Sequence, residues 1–105
     1  MAKILVADDE ELIRKLIGDC LKKSGHTVLE AGDGEKAIEL FNKNPDIELA
    51  MLDIMMPEID GWQVCRKIRE TSGIPVMLVS ARSQDFDQIM GFESGADDYV
   101  TKPFS

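Results

Sequence analysis

Leu49-Ala50-Met51-Leu52-Asp53-Ile54-Met55-Met56-Pro57 decides how the rest of the chain is read. Four apolar residues run straight into one acid, and turn signals follow at Pro57 and Asp60-Gly61. A short apolar run bounded by turns reads as a strand buried on both faces, the kind found in the middle of a parallel sheet. Open α/β sheets hold their ligands beyond the C-terminal ends of such strands. Asp53 is therefore expected on a rigid base at the mouth of a sheet.

Working outward, the same pattern repeats. Upstream, Ile4-Leu5-Val6-Ala7 follows Lys3 and ends in Asp8-Asp9-Glu10. Ile13, Leu16, Ile17, Cys20 and Leu21 then recur at the spacing of an amphipathic helix, closed by Lys22-Lys23 and Ser24-Gly25. Thr27-Val28-Leu29-Glu30-Ala31 reads as a second strand, and residues 34–42 as a second helix ended by Asn44-Pro45. Downstream of Asp53, residues 61–70 read as a helix through Val64, Cys65 and Ile68. Val76-Met77-Leu78-Val79 is a fourth strand ending at Ser80-Ala81. Ser83-Gln84-Asp85 opens a fourth helix with Phe86, Ile89 and Met90, and Asp98-Tyr99-Val100 is a short fifth strand before Thr101-Lys102-Pro103-Phe104. Strands alternating with helices imply a doubly wound parallel sheet, helices on both faces, joined by right-handed crossovers. The expectation is one domain over residues 1–105, shortened after strand five, with a final helix missing and part of one sheet face bare.

Composition narrows the function. With 20 acidic and 12 basic residues the formal charge is -8, which argues against direct nucleic-acid binding and favours a cation or a basic partner. No apolar run approaches the roughly 18 residues of a membrane span. The start, Met1-Ala2-Lys3-Ile4, is no signal peptide, so the cytosol is the expected compartment. Cys20 and Cys65 both fall on apolar helical faces and read as small buried hydrophobes.

The sheet gathers the polar strand ends. Strand one ends at Asp8 and Asp9, strand three at Asp53, strand four at Ser80, strand five at Lys102. Singly, Asp8 or Asp9 reads as a helix cap, Ser80 as a turn residue, Lys102 as a solvated charge and Tyr99 as packing. Together they place three carboxylates, a hydroxyl and an ammonium at one mouth. Like charges a few ångströms apart repel by about 4 kcal/mol per pair at an effective dielectric of 20, so a proton or a cation must relieve them. An all-oxygen site suits Mg2+, which also keeps waters and binds phosphate. Ser80 and Lys102 suit phosphoryl oxygens, and a carboxylate is an established phosphoryl-accepting nucleophile. His26, the single histidine, falls at the opposite end of the sheet and has no catalytic role in this reading.

These residues carry a resemblance. Val6-Ala7-Asp8-Asp9-Glu10, Asp53-Ile54-Met55-Met56-Pro57 with Asp60-Gly61, Val79-Ser80-Ala81, and the run from Gly95 to Phe104 stand in the order and spacing of bacterial two-component receiver domains. The chain resembles that family from Lys3 to Phe104, and its last strand is most similar to the winged-helix transcription-factor branch. The resemblance implies a flavodoxin-like fold with strand order 2-1-3-4-5. It implies that Asp53 takes a phosphoryl group from a phosphohistidine of a sensor histidine kinase. Asp8, Asp9, Asp53 and the Met55 main-chain carbonyl would hold Mg2+, for which Mn2+ would substitute. Ser80 and Lys102 would bind the phosphoryl oxygens, and Ser80 and Tyr99 would form the conformational switch. Met55 and Arg82 would flank the path of attacking water and, lacking a water-orienting group, give slow self-dephosphorylation. A homodimer through helix four and strand five, and control of transcription through a separate effector domain, complete the implied function; the chain is a signalling phosphoacceptor, not a conventional enzyme.

Other readings are weaker. A dehalogenase-like phosphatase needs a second acid two residues after its nucleophile, where Met55 stands. Gly32-Asp33-Gly34-Glu35-Lys36-Ala37 matches G-x-G-x-x-A, but it follows the second strand and its acids would repel a pyrophosphate. A flavin-binding relative needs a Ser/Thr-rich loop after strand one, where acids stand.

Overall fold

The computed structural model describes residues 1–80 and 95–101, residues 99–101 by backbone alone. The elements are β1 (Lys3–Ala7), α1 (Glu11–Lys23), β2 (Thr27–Ala31), α2 (Gly34–Lys43), β3 (Leu49–Asp53), α3 (Gly61–Arg69), β4 (Val76–Ser80) and β5 (Asp98–Thr101). All five strands pair in parallel in the order β2-β1-β3-β4-β5. The apolar run before Asp53 is the central strand, as its composition predicts. The expected fourth helix, Arg82 and Lys102 lie outside the described residues.

Alternation along each strand divides the core. Leu5, Ala7, Ala31, Ala50, Leu52 and Leu78 point to one face, where they meet Ala37 of α2 and Val64, Cys65 and Ile68 of α3. Fully burying a side chain such as Leu52, Leu78 or Ile68 contributes roughly 1.5–3 kcal/mol. On the opposite face Ile4 and Val6 are buried, and α1 covers β1 and β2. Its residues Leu16, Ile17, Cys20 and Leu21 form, with Met51 of β3, an apolar hollow of about 340 Å³. One consequence corrects the sequence reading: Cys65 is buried, but Cys20 is exposed. The helical period placed Cys20 on the apolar stripe of α1, but this side of the stripe overhangs the hollow, and Leu12 and Leu16 beside it are 84% and 56% exposed.

Local signals fix the helix starts on the side of the sheet where Asp53 lies. Asp33 caps α2, accepting from the Lys36 N–H at 2.7 Å. Asp60 caps α3 in a reciprocal box with Gln63, both bonds 2.9 Å. The intervening loop, residues 54–60, is wound tightly by Met56 N–H to Ile54 O at 3.0 Å, Ile59 N–H to Pro57 O at 2.8 Å and Gly61 N–H to Ile54 O at 3.1 Å. Glu58, inside the second of these three-residue turns, has φ 68°, a left-handed value that a non-glycine residue holds at a cost. A Cβ on Gly61 would stand 2.5 Å from the Asp53 carbonyl oxygen, and one on Gly34 would clash with the Ile59 carbonyl. The two glycines let α2 and α3 close on this loop, which explains the Gly32-Asp33-Gly34 run as capping and packing.

Candidate functional site

The acids meet where the sheet ends. β1 delivers Asp8 one residue past its last paired position, and β3 ends on Asp53 itself. Their side chains are buried, at 2% and 3% exposure, and the Ser80 hydroxyl at the end of β4 is fully buried. One carboxylate oxygen from each of Asp8, Glu10 and Asp53 lies within 4.8 Å of the others.

Main-chain donors aim these groups. The Glu10 N–H donates to Asp8 Oδ1 at 2.9 Å, and the Met55 N–H to Asp53 Oδ1 at 3.3 Å. The Asp8 N–H donates to Ala31 O at 3.1 Å, extending the β1–β2 ladder by one bond. The Asp8 carbonyl accepts from Arg14 Nη1 at 2.8 Å. Burial and mutual repulsion both penalise such a carboxylate cluster, so it calls for a cation or a proton. Oxygens bound to Mg2+ at about 2.0–2.1 Å can lie no farther than about 4.2 Å apart. The three oxygens already lie within 4.8 Å of one another and the donor set is all oxygen, so with side-chain closure onto an ion the residues fit a hard divalent cation.

The residues expected from sequence fall as follows. Asp8, Asp53 and Ser80 sit at neighbouring strand ends as read. Asp9 is exposed; it and Met55, which is 53% exposed, border a cavity of about 460 Å³ lined also by Pro57, Asp60 and Trp62. Tyr99 pairs with Leu78 through the backbone of β5. Two residues are added to the set. Glu10 joins the carboxylate cluster; the signal for it was the third acid of Asp8-Asp9-Glu10. Arg14 grips the Asp8 carbonyl and Glu30, a contact across 16 residues of sequence that no local pattern announces.

Comparison with known proteins agrees with this arrangement. The family model described as the response regulator receiver domain matches residues 4–105. A probable transcriptional regulator, ycf27, of Galdieria sulphuraria is 50% identical over 103 residues, covering 98% of this chain and 40% of the relative. The alkaline phosphatase synthesis transcriptional regulatory protein PhoP of Bacillus subtilis is 45% identical over 105 residues, covering 98% and 43%. The chain thus spans less than half the length of these relatives. Among solved structures, the receiver domain of Francisella response regulator 1452 superposes with TM-score 0.92 at 37% identity, covering 100% of this chain and 87% of that one. The BeF3-activated DrrB receiver domain gives 0.89 at 38% identity, covering 100% and 87%. A family match across nearly the whole length, over a sheet that gathers its acids at one mouth, shows that this chain belongs to the response regulator receiver domain family.

Proposed function

We propose that Asp53 is the phosphoacceptor of this receiver and that its reaction depends on a divalent cation. The observation that carries the reading is the convergence of Asp8, Glu10 and Asp53 carboxylates within 4.8 Å, two of them buried, at the ends of adjacent strands. A carboxylate oxygen of Asp53 attacks the phosphorus of a phosphohistidine on a sensor histidine kinase. The new P–O bond forms as the P–N bond breaks, and the imidazole leaves with the electron pair. Hydrolysis reverses the modification when water attacks the same phosphorus and Asp53 leaves as carboxylate. Asp8, Asp9 and Asp53, with the Met55 main-chain carbonyl, would hold Mg2+ or Mn2+, and Glu10 is close enough to contribute. Such an ion supplies charge neutralisation at the transferring phosphoryl group.

The protein's own part is positioning. The Met55 N–H fixes one Asp53 oxygen, leaving the rotation of the nucleophile set by the backbone of a rigid loop. In this reading Ser80 would hydrogen-bond a phosphoryl oxygen, Lys102 would pair with another, and Ser80 with Tyr99 would relay the change toward β5. Met55 and Arg82 would likewise flank the approach of water, and the apolar Met55 side chain supports slow self-dephosphorylation. The output reading is control of transcription, supported by relatives named as transcriptional regulators, with a homodimer through helix four and β5. Among the described residues no helix is long and apolar enough to cross a membrane.

Intact mass after incubation with acetyl phosphate tests the reading. One added phosphoryl group that requires both Mg2+ and Asp53, and is absent in Asp53→Asn, is expected. An adduct that persists in Asp53→Asn, or none in the folded wild-type protein, overturns it.

A further inference from the structure

We infer that Arg14 is a positioning residue for the cation site: from α1 it clamps the Asp8–Asp9 peptide and so aims the carboxylates on both sides of it. The inference deepens the proposed function and rests on its divalent cation. Arg14 Nη1 donates to the Asp8 carbonyl at 2.8 Å while Nε donates to Glu30 Oε1 at 3.3 Å. Its side chain is only 17% exposed, so the fork is held in place rather than swinging in solvent. Glu30 sits in β2 and is itself drawn toward Lys22 Nζ, 3.7 Å away. The guanidinium therefore links three elements: β2 through Glu30, its own helix α1, and the end of β1 through Asp8.

That link matters because of where β1 stops. On the β2 side the ladder ends with the Asp8 N–H bond to Ala31, and the carbonyl of the Asp8–Asp9 peptide accepts from Arg14 Nη1 instead of from a strand. This peptide plane joins the two Cα atoms that carry the Asp8 and Asp9 carboxylates. If it turns, Asp8 leaves the cluster with Glu10 and Asp53, and Asp9 changes its direction as well. A planar fork with donors at two fixed angles holds the plane; an ammonium, a point donor, does not span both acceptors.

Charge alone predicts the opposite behaviour. Arg14 is a cation close to acids that receive a cation, so removing its charge should tighten binding if charge were its whole role. Removing a positioning contact should weaken it, and outer contacts of metal ligands are typically worth about 10–100-fold in affinity. The two readings differ in sign.

The test titrates the whole chain with Mn2+ alone, read as loss of the free-ion electron paramagnetic resonance signal, followed by displacement with Mg2+. Arg14→Met is expected to weaken binding about 10-fold, and Arg14→Lys, which keeps the charge, to weaken it in the same direction. Lys3→Ala, at the other end of the sheet, is expected to bind as wild type. Wild-type binding with Arg14→Met as tight or tighter overturns the positioning role alone. Should Arg14→Met fail to fold, wild-type affinity in Arg14→Lys overturns it equally. Absence of binding by the wild-type chain removes the cation reading itself, and this inference with it.

Discussion

The two ends of the sheet use the same residue type in opposite ways. At the N-terminal ends of the strands, acids stand beside cations. Asp46 pairs with Lys3 at 3.1 Å, and Asp97 with Arg69 at 2.6 Å. Asp97 also accepts the Val76 N–H at 2.8 Å, while Arg69 donates to the Gly95 and Ile74 carbonyls at 2.8 and 2.6 Å, tying α3, β4 and the approach to β5 together. At the C-terminal ends, Asp8 and Asp53 are buried next to one another and next to Glu10. One end spends its acids on holding the chain together. The other, besides its helix-capping acids Asp33 and Asp60, concentrates like charge, which raises the energy of the cation-free protein and makes a bound cation valuable. The proposed function is thereby gathered at one edge of the sheet, and these ion pairs stand at the other.

Breaking the acidic end should have the largest effect and an unusual sign. Asp53→Asn is expected to abolish the phosphoryl adduct and also to stabilise the metal-free protein by about 0.5–2 kcal/mol, because one charge of a repelling set is gone. Chemical denaturation in the presence of a chelator checks this; a destabilised Asp53→Asn would contradict the contrast. Breaking the other end should do the reverse. Arg69→Ala strands the Gly95 and Ile74 carbonyls and unpairs Asp97, an expected loss of about 2–3 kcal/mol. Cation affinity should be unchanged, and a matching fall in Mn2+ binding would show the two ends to be coupled.

Smaller changes sharpen the picture. Glu58 holds its left-handed φ within the loop that carries Met55, so Glu58→Gly should relieve strain of about 1 kcal/mol, read as a higher thermal midpoint. The smallest effect concerns pH. The hydrogen bond from Lys3 holds the Asp46 carboxyl below its ordinary value. A lowered folded-state value contributes stability that is present above the unfolded carboxylate range and is lost as pH falls through the folded value, below about pH 4. In Lys3→Met, the Asp46 resonance in an NMR titration should move back up toward the ordinary carboxylate midpoint, and the small stability difference from wild type should vanish in acid.

Much of this was legible in the residues. The apolar run before Asp53 placed the central strand, and the alternation of periods gave five strands with helices between the first four. Asp8, Asp53 and Ser80 were legible because a parallel sheet brings its strand ends together whatever the loops do. The order of the strands came from the resemblance, since periodicity alone does not say which strands are neighbours. Cys20 was misplaced for a related reason: a helical period names an apolar stripe without naming what covers it. Arg14 and Glu30 were invisible because their contact joins a helix to a strand and is made with a carbonyl, which every residue has. Gly34 raised a nucleotide-binding alternative when its actual constraint is the Ile59 carbonyl pressed against it.

The central claim is that Asp53, among several neighbouring acids, is the group that takes phosphate. Reduction of the acetyl-phosphate-treated protein with borodeuteride, followed by peptide mass mapping, tests it at the residue. An aspartyl phosphate is reduced to deuterium-labelled homoserine, so label is expected at position 53 alone and only when Mg2+ was present during phosphorylation. Label at Asp8, Asp9 or Asp60, or equal labelling in the presence of a chelator, would contradict the account.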